Sequence, residues 1–87
     1  MISNNTDMET GMLYAVNKGK YLGDNLVIIN RTDDCINFLS LNDMKNRAIS
    51  KENVVTGIQD NILELLDRLP EDILNTCKQQ YEKNTNN

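Results

Sequence analysis

The change of hydrophobic period at Thr56-Gly57 constrains this chain more than any other feature. Before it, from Gly11 to about Val55, the apolar runs are short and each is broken by turn residues. "MLYAV" is followed by "NKGK", where Gly19 supplies a residue suited to positive φ. "YLGDN" breaks the chain again before "LVII", and "NRTDD" turns it afterwards. In "CINFLSL", Ile36 and Phe38 point one way, with Leu39 and Leu41 as further inward candidates, while Asn37 and Ser40 suit water. "NDMKNR" reads as a loop, and "RAIS" and "NVV" as short strands flanking "SKE". Four or five short strands joined by tight turns predict a small curled antiparallel sheet or barrel.

After Gly57 the spacing becomes helical. Ile58, Ile62, Leu65, Leu66 and Leu69 recur on one face, which predicts a helix over 58–69 with Thr56, Asp60 or Asn61 as its N-cap. Pro70 cannot continue that helix but suits the first turn of another, and Glu71 and Asp72 suit the positive end of its dipole. A second helix over 70–83 would carry Ile73, Leu74, Cys77 and Tyr81 on one side. Strands first and helices last make the chain α+β, with a single domain over 11–83 whose β-rich part is 11–57. Residues 1–10 and 84–87 are polar and read as flexible tails. The order resembles small SH3-like barrels with an appended helix, "GKYLGDNLVII" standing for the early strands. That likeness is architectural and assigns no functional residue.

Eighty-seven residues support one domain at most. No apolar run approaches the ~18 residues needed to cross a bilayer, and the N-terminus lacks a signal-peptide pattern, so a soluble cytoplasmic protein is expected. The two cysteines, Cys35 and Cys77, form neither a disulfide framework nor a CxxC pair and read as two small thiols. A bridge between them would require an oxidising compartment. Heavy use of Asn, Ile and Lys fits an AT-rich coding sequence, such as low-GC bacteria, their phages or mobile elements carry.

Catalytic chemistry finds little to stand on. There is no histidine, which removes the commonest general base and any Ser-His or Cys-His dyad. The glycines at 11, 19, 23 and 57 are too scattered to cradle a phosphate. Asp24 and the Asp33–Asp34 pair fall at opposite ends of one expected strand, and "NRTDD" lacks the alternating ligands of a calcium loop. No catalytic residue, metal ligand or cofactor site is predicted, and the chain is expected to be non-enzymatic.

Charge is the remaining lead. The net charge is −4, and residues 59–87 hold six acids against three bases. On a wheel of ~100° per residue starting at Asp60, Glu64 falls at about 40°, Asp67 at about 340° and Glu71 at about 20°. The acids would form a stripe opposite the apolar face, Glu71 only nominally in phase because it lies beyond the break at Pro70, and Arg68, four residues after Glu64, sits off to one side of the stripe. This predicts a small regulator or inhibitor that engages a protein partner with a basic surface through an acidic helical face: Asp60, Glu64, Asp67 and Glu71. The alternative is a module binding RNA or single-stranded DNA through Lys18, Lys20, Arg31, Lys45 and Arg47, with Tyr21 for stacking. A sequence pI near 4.6 weighs against it, because phosphate neutralisation dominates such binding.

Overall fold

The first hairpin is built on glycine. Strand β1 (Met12–Val16) and strand β2 (Asn25–Arg31) are joined by a loop in which Gly19 and Gly23 adopt φ of 89° and 91°, a region other residues rarely enter. β3 (Cys35–Ser40) and β4 (Asn46–Ser50) continue the meander. Helix α1 (Lys51–Gln59), β5 (Leu63–Arg68) and helix α2 (Glu71–Thr85) complete the chain. The computed structural model describes residues 8–86. The five strands form one sheet in the order β4-β3-β2-β1-β5, and every neighbouring pair is antiparallel. The fold is therefore α+β, as expected, with a five-stranded antiparallel sheet and two helices.

Alternation along the strands divides the core into two layers. Met12, Tyr14, Val16, Leu26, Ile28, Ile36 and Phe38 face inward with Val54 of α1 and Leu63 of β5. Leu13, Val27, Ile29 and Leu39 face outward, beneath Leu74, Cys77 and Tyr81 of α2. β2 is buried on both faces, so its apolar residues run without a break instead of alternating. Bulges between Ile28 and Asn30, and between Leu13 and Tyr14, interrupt the register and bend the sheet. Tyr14 and Phe38 meet edge to face at the centre, with ring centroids 6.5 Å apart.

The helix expected over 58–69 is not formed: only Ile58 and Gln59 are helical, as the end of α1, and Leu63–Arg68 is a strand. α1 begins earlier, at Lys51, where the Ser50 hydroxyl accepts the Asn53 amide at 3.2 Å as an N-cap. It ends at Asp60, and Asn61 turns the chain at φ 62°. Leu63–Arg68 then pairs with β1, whose backbone groups would otherwise lie open along an edge. Sheet pairing outweighs a helical spacing that five apolar residues happen to satisfy. "NVV", expected as a strand, lies inside α1, where Val54 is fully buried. Leu65 and Leu66, expected in the core, stand 45% and 50% exposed on the edge strand.

The tails are also shorter than expected. Met8 is 1% exposed and belongs to the inner core, although 1–10 was expected to be loose; residues 1–7 lie outside the described part. α2 runs to Thr85, and Asn84 donates to the Met44 carbonyl at 2.9 Å and to Asn46 Oδ1 at 2.8 Å. Among the described residues, no helix is long and apolar enough to cross a membrane.

Candidate functional site

The inner layer is not closed at the end that carries the β1–β2 loop. α1 leaves a groove of about 370 Å³ between itself, that loop, β4 and the start of β5. Val16, Leu26, Ile49, Ile62 and Leu63 supply apolar lining, each delivered by a different element or turn. Gly57 keeps α1 close to β5, since a Cβ there would stand 3.2 Å from the Leu63 side chain. Asn53 and Thr56 add polar groups from α1, and Lys18, Lys20, Tyr21, Asp24 and Arg47 supply the opposite rim.

The rim is held by its own hydrogen bonds. Within the loop, the Gly23 amide donates to Val16 O at 2.9 Å, and the Asp24 amide donates to Tyr21 O at 2.9 Å. The Asn17 amide donates to Ile62 O at 2.7 Å, which ties the loop to the turn before β5. Asn17 Nδ2 also donates to Glu64 Oε1 at 3.1 Å.

Beneath the loop lies a buried polar network. Asp24 is only 6% exposed; its Oδ1 accepts from Ser40 Oγ at 2.5 Å and from the Asn25 amide at 3.0 Å. Its Oδ2 lies 3.7 Å from Arg47 Nη2, which also meets Asp43 Oδ2 at 2.6 Å. The hydrogen bond from Arg47 holds the Asp43 carboxyl below the ordinary carboxylate value, and Asp43 in turn raises Arg47. The Arg47 guanidinium stacks over the Tyr21 ring at 5.2 Å, and Lys20 Nζ stands 5.7 Å from the same centroid. Arg47 Nε is buried and has no hydrogen-bond partner among the described residues.

The predicted acids and cations fall differently from expectation. Asp60 caps the C-terminus of α1, Glu64 and Asp67 lie in β5, and Glu71 is in the first turn of α2. Glu64 and Asp67 sit opposite Ala15 and Leu13, so the bulge returns both to one face of the strand. A single helical stripe of four acids is therefore not formed. Of the five predicted cations, Lys18, Lys20 and Arg47 line the groove together. Arg31 instead donates to the Met8 carbonyl, and Lys45 belongs to the turn between β3 and β4. Asp24, paired with Ser40 and Arg47 across strand ends, had no sequence signal beyond a polar residue just before an apolar strand.

A second hollow of about 490 Å³ is lined by Asp33, Asp34, Ser50, Lys51, Glu52, Val55 and Thr56. Among the described residues, no group of three or more Cys, Asp or Glu side chains is placed to hold a metal ion. In comparisons with known proteins, no family model, curated protein or solved structure matches the chain.

Proposed function

We propose that this protein is a non-enzymatic binding module that holds a segment of a protein partner in the groove between the β1–β2 loop and α1, and so modulates that partner's activity. The single observation that carries the reading is the groove itself. It is mostly apolar, ringed by a few placed polar groups, and its size falls within the ~300–1,000 Å³ of ordinary ligand clefts. The protein-partner expectation is kept, while its surface moves from an acidic helix to this groove. We further propose that the sheet is a variant of the SH3-like barrel working in the cytoplasm. Support for the first is a four-strand meander whose first strand also takes β5, after a helix that packs against β3, β4 and β5. Support for the second is two free thiols, Cys35 and Cys77.

The nucleic-acid reading has one observation in its favour, because Lys18, Lys20 and Arg47 meet beside Tyr21. Arg47, however, is engaged by Asp24 and Asp43, and two remaining lysines neutralise few phosphates. The discriminating experiment fills the groove. Asn53 and Thr56 are exposed lining residues one turn apart on α1, so Asn53→Trp combined with Thr56→Trp should block the groove without entering the core. A protein captured from nuclease-treated lysate of the source cell by the natural chain should be lost with the folded double variant. Equal capture by both chains refutes the groove as the binding surface.

A further inference from the structure

The sign of the charge reverses at the groove. Three cations, Lys18, Lys20 and Arg47, line it against one carboxylate, Asp24, whereas the rest of the chain carries six cations against twelve carboxylates. Arg47 is balanced by Asp24 and Asp43, but Lys18 and Lys20 enter no ion pair among the described residues. These lysines stand on a loop whose backbone is fixed by internal hydrogen bonds and by the Asn17–Ile62 bond, so their positions relative to the apolar floor are set. Lys20 is held over the Tyr21 ring, and Tyr21 is itself 49% exposed. Leu22, next to Tyr21 in the same loop, stands 68% exposed.

Resting on the groove reading, we propose that the occupant is an acidic linear peptide segment: an apolar anchor side chain in the cleft, with Asp or Glu beside it meeting Lys18 and Lys20. Each part of the surface asks for one part of that ligand. The floor offers little besides aliphatic carbon, so it selects an aliphatic or aromatic side chain. The volume is near the lower end for ligand clefts, which suits an anchor side chain rather than a folded surface. Tyr21 on the rim and its exposed neighbour Leu22 offer further apolar contact beside the floor, which suits a ligand that extends beyond its anchor. The two ammonium groups, in no ion pair among the described residues, favour carboxylates next to the anchor, and the net acidity of the rest of the chain disfavours acidic segments elsewhere. A nucleic acid fits less well, since only Tyr21 offers a stacking ring and Asp24 and Asp43 stand where a phosphate would have to approach Arg47.

Selection from a random peptide display library tests this directly. The immobilised natural chain should enrich an apolar residue flanked by Asp or Glu, and the Asn53→Trp/Thr56→Trp chain should not. The Lys18→Glu/Lys20→Glu variant should reverse the flanks to Lys or Arg, and Lys18→Gln/Lys20→Gln should remove the charge preference. Circular dichroism confirms that each variant folds. A synthetic peptide of the consensus should bind the natural chain about tenfold more tightly than its charge-reversed counterpart, the ratio given by ~1.4 kcal/mol from two partly screened pairs. Its titration should move the amide resonances of 17–24 and 53–57, and the preference should shrink as salt rises. Groove-dependent peptides with neutral or basic flanks would overturn the acidic ligand and leave the groove reading standing. No groove-dependent enrichment would overturn both. Displacement of the consensus peptide by oligothymidylate at low salt would overturn the peptide in favour of a nucleic acid.

Discussion

Asp24→Ala isolates the polar network under the β1–β2 loop, and its cost follows from the partners it leaves behind. The Asp24 side chain is 7% exposed, so the Ser40 hydroxyl and the Asn25 amide lose their acceptor where water has little access. A buried donor left unsatisfied costs about 1–3 kcal/mol. Breaking a buried ion pair outright costs about 3–5 kcal/mol, but Arg47 keeps Asp43 at 2.6 Å and is not stranded. The expected loss for Asp24→Ala is therefore about 2–3 kcal/mol. Asp24→Asn keeps an oxygen for Ser40 and should lose only about 1 kcal/mol.

Urea unfolding at neutral pH, followed by far-UV circular dichroism, measures both. In a domain of this size such a loss is a large share of the total stability. The cycle of Asp24→Ala, Ser40→Ala and the double variant should give a coupling energy of about 1 kcal/mol. If Asp24→Ala shifts stability by less than about 0.5 kcal/mol, the range of ordinary surface substitutions, the network does not hold the groove rim and the reasoning fails.

Three further outcomes test other parts of the fold. Ser50→Ala removes the cap of α1 and should lower stability by about 1 kcal/mol in the same urea assay, with faster hydrogen exchange at the Asn53 amide. Burial of Cys77 between α2 and the sheet pushes its thiol up, so in native protein a thiol reagent should modify half-buried Cys35 first and reach Cys77 only on unfolding. Because the folded value is the higher one, the contribution of Cys77 is complete below the ordinary thiol value of about 8.5 and is lost as pH rises through the folded value. Urea midpoints measured across that alkaline range, with Cys77→Ala as reference, check the sign.

What the sequence made legible depended on the range of the interaction that decides each element. The β1–β4 meander could be read because its turns are local: Gly19, Gly23 and the "NRTDD" and "NDMK" stretches stop the strands within a few residues. α2 could be read because Pro70 marks its start and Leu74, Cys77 and Tyr81 keep one face. The segment 51–69 could not. Val54 and Val55 suggested a strand where the Ser50 cap starts a helix, and helical spacing from Ile58 to Leu69 hid a strand. β5 is decided by the open edge of β1, roughly 50 residues earlier in the chain, and no local pattern reports such a demand. Once β5 is a strand, the acidic wheel loses its basis, since that stripe existed only in a helical phase.

The groove shows the same limit in its charge. Summed along the chain, Lys18 and Lys20 are diluted by Asp24, Asp33, Asp34 and Asp43, and the total is acidic. Folding separates these charges by function. Asp24 turns inward to Ser40 and Arg47, Asp43 is occupied by the same guanidinium, and Asp33 and Asp34 line a different hollow. Among the described residues the two lysines have no ion-pair partner, and they stand beside an apolar floor assembled from β1, β2, β4, the turn after α1, and β5. A local reversal of sign on an acidic protein is thus a product of pairing in three dimensions. For that reason groove-lining substitutions, rather than changes in net charge, are the ones that should alter what this protein binds.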